Sequence, residues 1–440
     1  MLTILNCFQN TTSINFNINL SNYNSLSCLF NNFKQLQDIH VENLNTSTIQ
    51  SFGDVFSGCS NLTTIDLSKW NMNNCIGLDR MFNYCSRLNN LNISNWTFNN
   101  LQSLSSTFAY CSNLTTLDIS NWNVDNVYTL TSFCYGCHNL QTLDLSQWNT
   151  NKLHYLGYAF SGCYNLTNLN IANWDTNNLI GNLVQTFLQC TNLTNLDIKN
   201  WNVSRINNLA CFCYGCRNIP TLEIENWQTN NFNNLYEAFG ACQNITTLNL
   251  SLWNTCNIKN LREAFCSELK LTDLNLANWN TLNVTDLTET FSYCRNLINF
   301  DCSNWNLNNV QYMANCFAVC DSLSNNSLEN IGKILSTINA EGKTFNNLSN
   351  LNSLGPFYGS NKWINASSVS FWTAYNLIHN GWILEGELQY PFTLQYFKNN
   401  NSSIGYTRKF VTYNDFKNFM ATMDGDITTL YFRGEELNDN

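Results

Sequence analysis

The stretch FNYCSRLNNLNISNW, residues 82–96, recurs with small changes at a fixed period through most of the chain. Successive tryptophans from Trp70 to Trp305 lie 26 residues apart, with a single step of 27 between Trp174 and Trp201. A fixed period of this length is typical of a solenoid, in which each coil contacts only its neighbours. The sequence therefore predicts a repeat protein whose length is not limited by one central core.

Each coil is predicted to contain one strand, because apolar and polar residues alternate just before the tryptophan. Ahead of Trp122, Leu117 and Ile119 flank Asp118, which is the period-two pattern of a strand. Like strands of successive coils are then expected to stack as a parallel sheet. The rest of the coil has apolar residues spaced by four, three and three, which predicts a short helix or 3₁₀ turn. In one coil these residues are Leu104, Phe108, Cys111 and Leu114.

The chain is predicted to divide into four segments. Ile14, Phe16 and Ile18 alternate with asparagine as in a half-buried strand, and this pattern suits a cover for the first coil. The 26-residue period stops after Cys320. The segments are an N-terminal cap at 1–35, a solenoid of eleven coils at 36–322, a C-terminal cap at 323–386 and a small α+β module at 387–440.

The two C-terminal segments carry their own predictions. A helix at 327–335 is expected to cross the end of the solenoid. The last module is expected to attach the chain to a larger assembly or to oligomerise it. Its predicted elements are a hairpin of 392–397 and 406–411 around 399–403, a helix at 416–423 capped by Thr412, and a strand at 428–433.

Composition narrows the classes of partner. Only 11% of residues are charged, the net charge is −10, and no run of Lys or Arg occurs, so nucleic acid is not an expected partner. There is no apolar stretch of about 18 residues, and therefore no predicted membrane span. The first ten residues contain no basic residue and no sustained apolar run, so no Sec-type signal peptide is predicted. The chain is expected to be made in the cytoplasm, and to stay there or be exported by something other than its own N-terminus.

Residues at one position of the repeat must be interpreted together, because stacking aligns them. The tryptophans are interpreted as core rather than as an exposed sugar-binding strip. The asparagines that follow them, such as Asn71 and Asn123, are expected to bond the backbone of their own turn. A cysteine recurs in most coils, and stacked neighbours would have Cβ atoms about 4.8 Å apart, which is too far for a disulfide. Reduced, buried thiols are therefore predicted, and the two Cys-Tyr-Gly-Cys runs at 134–137 and 213–216 are interpreted as core substitutions.

The polar positions of the strands form the candidate ligand-binding site. They are expected to point to the concave sheet face, where neighbouring carboxylates favour a cation or a cationic or hydroxyl-rich ligand. A merely solvated sheet is the alternative. The interrupted carboxylates do not supply the oxygens that Ca²⁺ requires, so no metal is expected. The candidate residues are Asp66, Asp118, Asp144, Asp197, Glu223, Asp301, Thr116 and Thr142.

No enzyme is predicted, and no cofactor. The four histidines have no metal-type spacing, and neither a nucleophile elbow nor a phosphate-cradling glycine loop is present.

The repeat pattern Phe-x-x-Cys-x-x-Leu-x-x-Leu-Asp-Leu-Ser-x-Trp-Asn, with close versions at 108–123 and 160–175, resembles the BspA-like leucine-rich repeats, a mycoplasma-type repeat of unknown function. This resemblance implies an α/β repeat fold, a leucine-rich-repeat solenoid with a parallel sheet on its concave face. It also implies adhesion or partner recognition, with a cell-surface receptor, glycan or protein as the partner. Together with the missing signal peptide, it suggests a phage virion component, and an intracellular protein-binding scaffold is the alternative.

Overall fold

The computed structural model describes residues 10–338, 357, 364, 369, 371–379, 382, 392–398, 405–410, 413–421 and 427–434. Stacked coils with parallel strands form a leucine-rich-repeat-type solenoid, followed by a small antiparallel α+β module, which confirms the predicted fold class. Among the described residues, no helix combines the length and the apolar character needed to cross a lipid bilayer.

The solenoid contains very short strands. Where a strand lies ahead of the tryptophan, its central apolar residue points into the core and its two polar neighbours point outward, as the period-two pattern predicted. We call the surface formed by these outward side chains the strand face. In chain order the strands are β1 (Ser13–Asn15), β2 (Asp38–His40), β3 (Thr64–Asp66), β4 (Asn90–Asn92), β5 (Thr142–Asp144), β6 (Asn168–Asn170), β7 (Gly181–Asn182), β8 (Ile206–Asn208), β9 (Asp273–Asn275) and β10 (Asn299–Asp301).

Strand pairing on the strand face is parallel and in register but interrupted. The pairs are β1 with β2, β3 with β4, β5 with β6 and β9 with β10. Single parallel bridges add Thr116 to Thr142 and Thr221 to Thr247. The sheet therefore consists of separate short blocks rather than one continuous ribbon.

A second ladder, on the other side of the coil, is longer. Parallel bridges run without a break through Ser25, Ser51, Gly77, Ser103, Thr129 and Tyr155, and they resume from Asn208 to Tyr312. The pair β7 and β8 belongs to this side. We call this ladder and the turns that follow it the turn side.

The predicted helix or 3₁₀ turn in each coil is wrong. Residues 105–110 form consecutive turns, and their amides alternate between two kinds of acceptor. The amides of Ser106 and Phe108 donate to carbonyls of the next coil, Thr131 and Phe133, at 2.9 and 3.0 Å. The amide of Thr107, in contrast, donates to Leu104 of its own coil at 3.3 Å. A helix would direct every amide back along the same coil, so it would forfeit these bonds between coils.

Left-handed residues make this alternation possible. Ser106 has φ of 54° and Tyr110 has φ of 59°, and each coil repeats such a pair four residues apart. A non-glycine residue in this conformation costs about 1 kcal/mol, which the amide bonds to the next coil offset. Apolar spacings of three and of four residues both fit a helix, but the backbone hydrogen bonds between neighbouring coils decide the conformation.

The core confirms that the tryptophans are buried. Every tryptophan from Trp70 to Trp305 lies inside, and the Trp227 Nε1–H donates to the Ile198 carbonyl of the preceding coil at 3.1 Å. Phe82 and Phe108 stack at 5.7 Å between ring centroids, with planes 3° apart. These stacks extend the hydrophobic core along the whole solenoid.

The repeated cysteines form a ladder of reduced thiols, as predicted. All cysteines of the described residues are free, and the repeated ones are buried. The Cys111 thiol donates to the Phe82 carbonyl of the preceding coil at 3.1 Å, and the same bond recurs at Cys85 and Cys137. Burial raises the pKa of the Cys59 thiol to about 12, so this group stays protonated at neutral pH. Cys134 and Cys213 of the two Cys-Tyr-Gly-Cys runs are buried in the core.

The asparagines after the tryptophans bond their own turns, as predicted. Asn71 Oδ1 accepts the amide hydrogen of Asn73 at 3.0 Å, and Asn123 Oδ1 accepts that of Asp125 at 3.0 Å. These Asx turns satisfy amides at a corner where no strand ladder is available.

The two ends of the solenoid are covered differently. Ile14 of the predicted N-terminal cap pairs with Ile39, so coil-like stacking already begins before residue 36, and residues 1–9 lie outside the described residues. At the other end, helix α1 (Asn325–Leu335) confirms the predicted helix at 327–335. Helix α2 (Phe371–His379) contacts it, since the Thr373 hydroxyl donates to Glu329 Oε1 at 2.8 Å.

The C-terminal module has the predicted order of elements, strand, strand, helix and strand. The first strand of the module lies in the centre of its sheet and pairs antiparallel with the other two strands. The predicted loop at 399–403 and the capping residue Thr412 lie outside the described residues. The elements are β11 (Phe392–Lys398), β12 (Gly405–Phe410), helix α3 (Tyr413–Ala421) and β13 (Ile427–Gly434).

Candidate functional site

The candidate residues stand in a row along the strand face. Because the coils are in register, residues of one slot lie beside each other, as Asp66 does beside Asn92 and Asp144 beside Asn170. Asp197 and Asp301 are half-buried, and the other candidates are exposed. The exposed ones are Asp66, Asp118, Asp144, Glu223, Thr116 and Thr142.

Several of the carboxylates also stabilise the turn that follows their strand. The amide of Ser68 donates to Asp66 Oδ1 at 2.9 Å, and the amide of Ser146 donates to Asp144 Oδ1 at 3.0 Å. These backbone donors hold the pKa of both aspartates below the usual value, because they favour the ionised form. The row therefore carries fixed negative charge at neutral pH, and part of its conformation is set by the fold.

One lysine offsets some of this charge. Lys199 Nζ lies 3.9 Å from Asp197 and 3.7 Å from Glu223, in the middle of the row. All three side chains are at least one-third exposed, so the attraction between them is weak. The negative charge is consequently concentrated towards the two ends of the row.

A depression of about 540 Å³ lies on the strand face near its N-terminal end. Of the eight candidates, only Asp66 and Asp118 line it, and the structure does not bring the other six to this place. The complete lining is Thr64, Ile65, Asp66, Asn90, Leu91, Asn92, Ile93, Ser94 and Asp118.

The depression coincides with an interruption of the sheet. Strand β4 pairs with β3, and within the described residues no strand pairing joins it to the next coil, at Thr116. Its central residue, Leu91, is only partly buried, whereas Ile65 of β3 is buried. The unpaired edge of β4 thus opens a step between Asn92 and Asp118.

The sequence pattern places Thr64, Asn90 and Asn92 at the same outward strand positions as the candidate residues, although they are not among the eight candidates. Ser94, which follows β4, was not predicted to lie in the site. The sequence gives no sign of the interruption that brings these residues together, because the coils on both sides of it keep the repeat pattern.

The chemistry of the site is that of polar recognition. Within the described ranges, no three His, Cys, Asp or Glu side chains come together as a metal-holding group. The depression offers two carboxylates, three amides or hydroxyls in the strand slots, and an apolar floor of Ile65 and Leu91. These groups can accept hydrogen bonds from a cationic or hydroxyl-bearing partner.

The sequence matches the protein family described as "Mycoplasma protein of unknown function, DUF285". Four overlapping matches cover residues 3–116, 102–227, 181–273 and 233–354. No curated protein matches the chain.

Similar solved structures are leucine-rich-repeat and related proteins. A leucine-rich repeat protein from Bacteroides ovatus is 15% identical, with a TM-score of 0.37, over 71% of this chain and 78% of that one. An internalin from Listeria monocytogenes is 14% identical, with a TM-score of 0.19, over 70% and 74%. The Toll–Spatzle complex of Drosophila gives 11% identity and a TM-score of 0.18, over 71% and 53%.

Proposed function

The chain belongs to the family described as "Mycoplasma protein of unknown function, DUF285", and we propose that it is a non-enzymatic binding protein that recognises a partner on a cell surface through its strand face. The observation that carries this proposal is the row of outward carboxylates, amides and hydroxyls, aligned coil by coil and opened at one point into the depression. A solenoid offers such a surface over many coils, which suits recognition of an extended partner.

The charge of the row defines the chemistry of the partner. Asp66 and Asp118 face the same depression, and the side chains between them are uncharged. A partner that places a lysine or arginine head group there would gain charge-assisted hydrogen bonds to both carboxylates. The binding is therefore expected to weaken as salt concentration rises, because exposed charges are screened.

Adhesion or host recognition is the setting that we propose for this binding, with the protein displayed as a component of a phage virion. In this proposal residues 387–440 attach the solenoid to the larger assembly. The compact strand, strand, helix and strand order of that segment supports an attachment role. The alternative, an intracellular scaffold that binds another protein, uses the same strand face.

The test is binding of the fluorescently labelled full chain to a panel of intact bacterial strains. Saturable binding to some strains is expected, with a loss of about tenfold in affinity for the Asp66→Asn and Asp118→Asn double variant, the change that removal of charge-assisted bonds produces. Asp144→Asn with Asp301→Asn is the matched comparison, because it removes two charges of the same row outside the depression and is expected to cost less affinity. Those aspartates hold the same kind of turn but lie outside the depression, and Asn keeps the acceptor that the turn requires.

The outcomes of this test distinguish surface recognition from the scaffold alternative. Equal affinity of the two double variants would remove the depression from the binding site. No binding to any strain would argue against surface recognition and favour the scaffold, whose partners would then be sought with the same variants.

A further inference from the structure

A second depression, of about 370 Å³, lies on the turn side, away from the strand face. It crosses five coils near the N-terminal end of the solenoid. We call it the amide groove, and it is lined by Asn24, Ser25, Gln50, Ser51, Ile76, Gly77, Asp79, Gln102, Ser103 and Tyr128.

One wall of the groove is a row of four side chains at equal spacing. The amides of Ile76, Gln102 and Tyr128 each donate to the carbonyl of the preceding member of the row, at 2.8, 2.8 and 2.9 Å, starting from Gln50. Bonds of this kind keep neighbouring coils about 4.8 Å apart. An amide, an aliphatic group, a second amide and an aromatic ring therefore stand side by side.

The two apolar members of the row, Ile76 and Tyr128, are exposed to solvent. Ile76 is 39% exposed and Tyr128 is 43% exposed. Elsewhere on the turn side, Tyr84 and Tyr110 cover one another, with ring centroids 4.3 Å apart. Tyr128 stacks on no other aromatic ring of the residues that the structure describes, and its exposure leaves part of the ring available to a ligand.

The amides of the row are also available. On other coils, surface amides bond one another from coil to coil, as Asn165 does to Asn139 and Asn192 does to Asn165, both at 3.2 Å. The side-chain amides of Gln50 and Gln102 form no hydrogen bond with any described residue, because Ile76 stands between them. Each offers two donors and one acceptor to a ligand.

The floor of the groove contributes one carboxylate. A Cβ at Gly77 would lie 2.9 Å from Asp79 Oδ2, so glycine at this position leaves that oxygen uncovered. The Ser103 hydroxyl donates to Asp79 Oδ1 and orients the group. No basic residue lines the groove, so it offers no positive charge to balance an anionic ligand, and the Asp79 carboxylate would repel one.

We propose that the amide groove binds a neutral saccharide. A sugar ring presents an apolar face and a rim of hydroxyls, and these match the Tyr128 ring with Ile76 and the amides of Gln50 and Gln102, respectively. The Asp79 carboxylate accepts from a further hydroxyl. A volume of about 370 Å³ is that of a small-ligand pocket and not of a protein interface, which buries a broad surface.

The test begins with the full chain on an array of neutral and acidic oligosaccharides. Binding to neutral members is expected, followed by calorimetric titration of the best one. Tyr128→Ala and Gln102→Ala are each expected to weaken that titration by about tenfold, the scale of one aromatic or hydrogen-bonding contact. Tyr312→Ala is the matched control, because Tyr312 is 57% exposed on the turn side but far along the chain. Unchanged thermal unfolding of all three variants shows that each remains folded.

Several results would overturn the proposal: no bound saccharide, binding confined to acidic saccharides, or full affinity in Tyr128→Ala. The Asp66→Asn and Asp118→Asn double variant separates this site from the strand face, since it is expected to bind the saccharide with wild-type affinity. Loss of saccharide binding in that variant would place the sugar on the strand face and contradict the groove assignment.

Discussion

Glu268 Oε1 accepts the backbone amide hydrogen of Cys242 at 2.9 Å, and Glu268 occupies the slot in which the coils on either side place the thiols of Cys242 and Cys294. The side chain is 1% exposed, and its second oxygen has no hydrogen-bond partner among the described residues. Burial, with the Cys242 thiol nearby, raises the pKa of this carboxyl well above its ordinary value of 4.5. A carboxyl group thus interrupts a ladder of buried thiols.

The first prediction concerns this carboxyl and pH. Glu268 is protonated in the folded chain but ionises near pH 4.5 after unfolding, so its contribution to stability is complete below that pH. The contribution falls as pH rises towards the raised folded pKa, by at most about 1.4 kcal/mol per pH unit. Glu268→Cys, which restores the ladder thiol, is expected to remove this slope in urea unfolding measured from pH 4 to pH 8. A slope that persists in the variant would assign the pH dependence to other groups.

The second prediction concerns thiol reactivity. Cys28 is exposed and Cys256 is half-buried, whereas the ladder thiols are buried, and burial raises the pKa of ladder thiols such as Cys85. Cys7 lies outside the described residues and is replaced by serine to simplify the experiment. In that background, Cys28→Ser combined with Cys256→Ser is expected to abolish the fast phase of labelling by a disulfide reagent, and the ladder should react only after denaturation. Fast labelling of several further thiols would contradict the ladder.

The third prediction compares two tryptophans. The coil that contains Trp201 has the 27-residue step, and the Trp201 Nε1–H is buried without an acceptor among the described residues. The Trp227 Nε1–H has one, the Ile198 carbonyl. Trp227→Phe should therefore cost about 1 kcal/mol more in the free energy of unfolding than Trp201→Phe, because only Trp227 loses a hydrogen bond; the Ile198 carbonyl keeps the backbone amide of Trp201 as its donor. Equal losses in denaturant titrations would show that this hydrogen bond contributes nothing net.

The fourth prediction separates backbone strain from steric overlap. Gly136 and Gly181 both have positive φ, 71° and 77°. A Cβ on Gly136 would lie 2.9 Å from Tyr110 Cδ1, whereas one on Gly181 would meet nothing within 4 Å. Gly181→Ala should lose about 1 kcal/mol from conformation alone, and Gly136→Ala about 1–3 kcal/mol more, because the Tyr110 ring must move away from the added Cβ. Similar unfolding midpoints for both variants would contradict the overlap.

The strands and the core followed from the sequence because their patterns are local. Alternation around Asp118 requires only that one side of a strand be buried, and the repeat makes the pattern unmistakable. The turn side did not follow, since apolar residues spaced by three and four suit both a helix and a series of tight turns. Tyr84 and Ser106 carry no sequence signal for the left-handed region. Their conformation depends on amide bonds to the neighbouring coil, which a single repeat does not contain.

The two proposed binding surfaces also differ in how far the sequence predicts them. The outward positions of Asp66 and Asp118 were predicted from the alternation of apolar and polar residues. The interruption beside β4 was not predicted, because the sequence of one strand does not show whether that strand pairs with the next coil. The amide groove was missed altogether. Gln50, Ile76, Gln102 and Tyr128 have unrelated side chains, and only their common position on the turn side brings them together.

Outside the 27-residue step, the tryptophan and cysteine side-chain donors of successive coils share one offset. The Trp96 Nε1–H reaches the carbonyl of Leu67, and the Cys85 thiol reaches that of Phe56, each 29 residues back. Removing or duplicating one whole 26-residue unit would reconnect every such donor to an equivalent acceptor. Recombination can therefore add or remove whole coils without requiring new kinds of hydrogen bond. The length of the solenoid can change with the number of its coils.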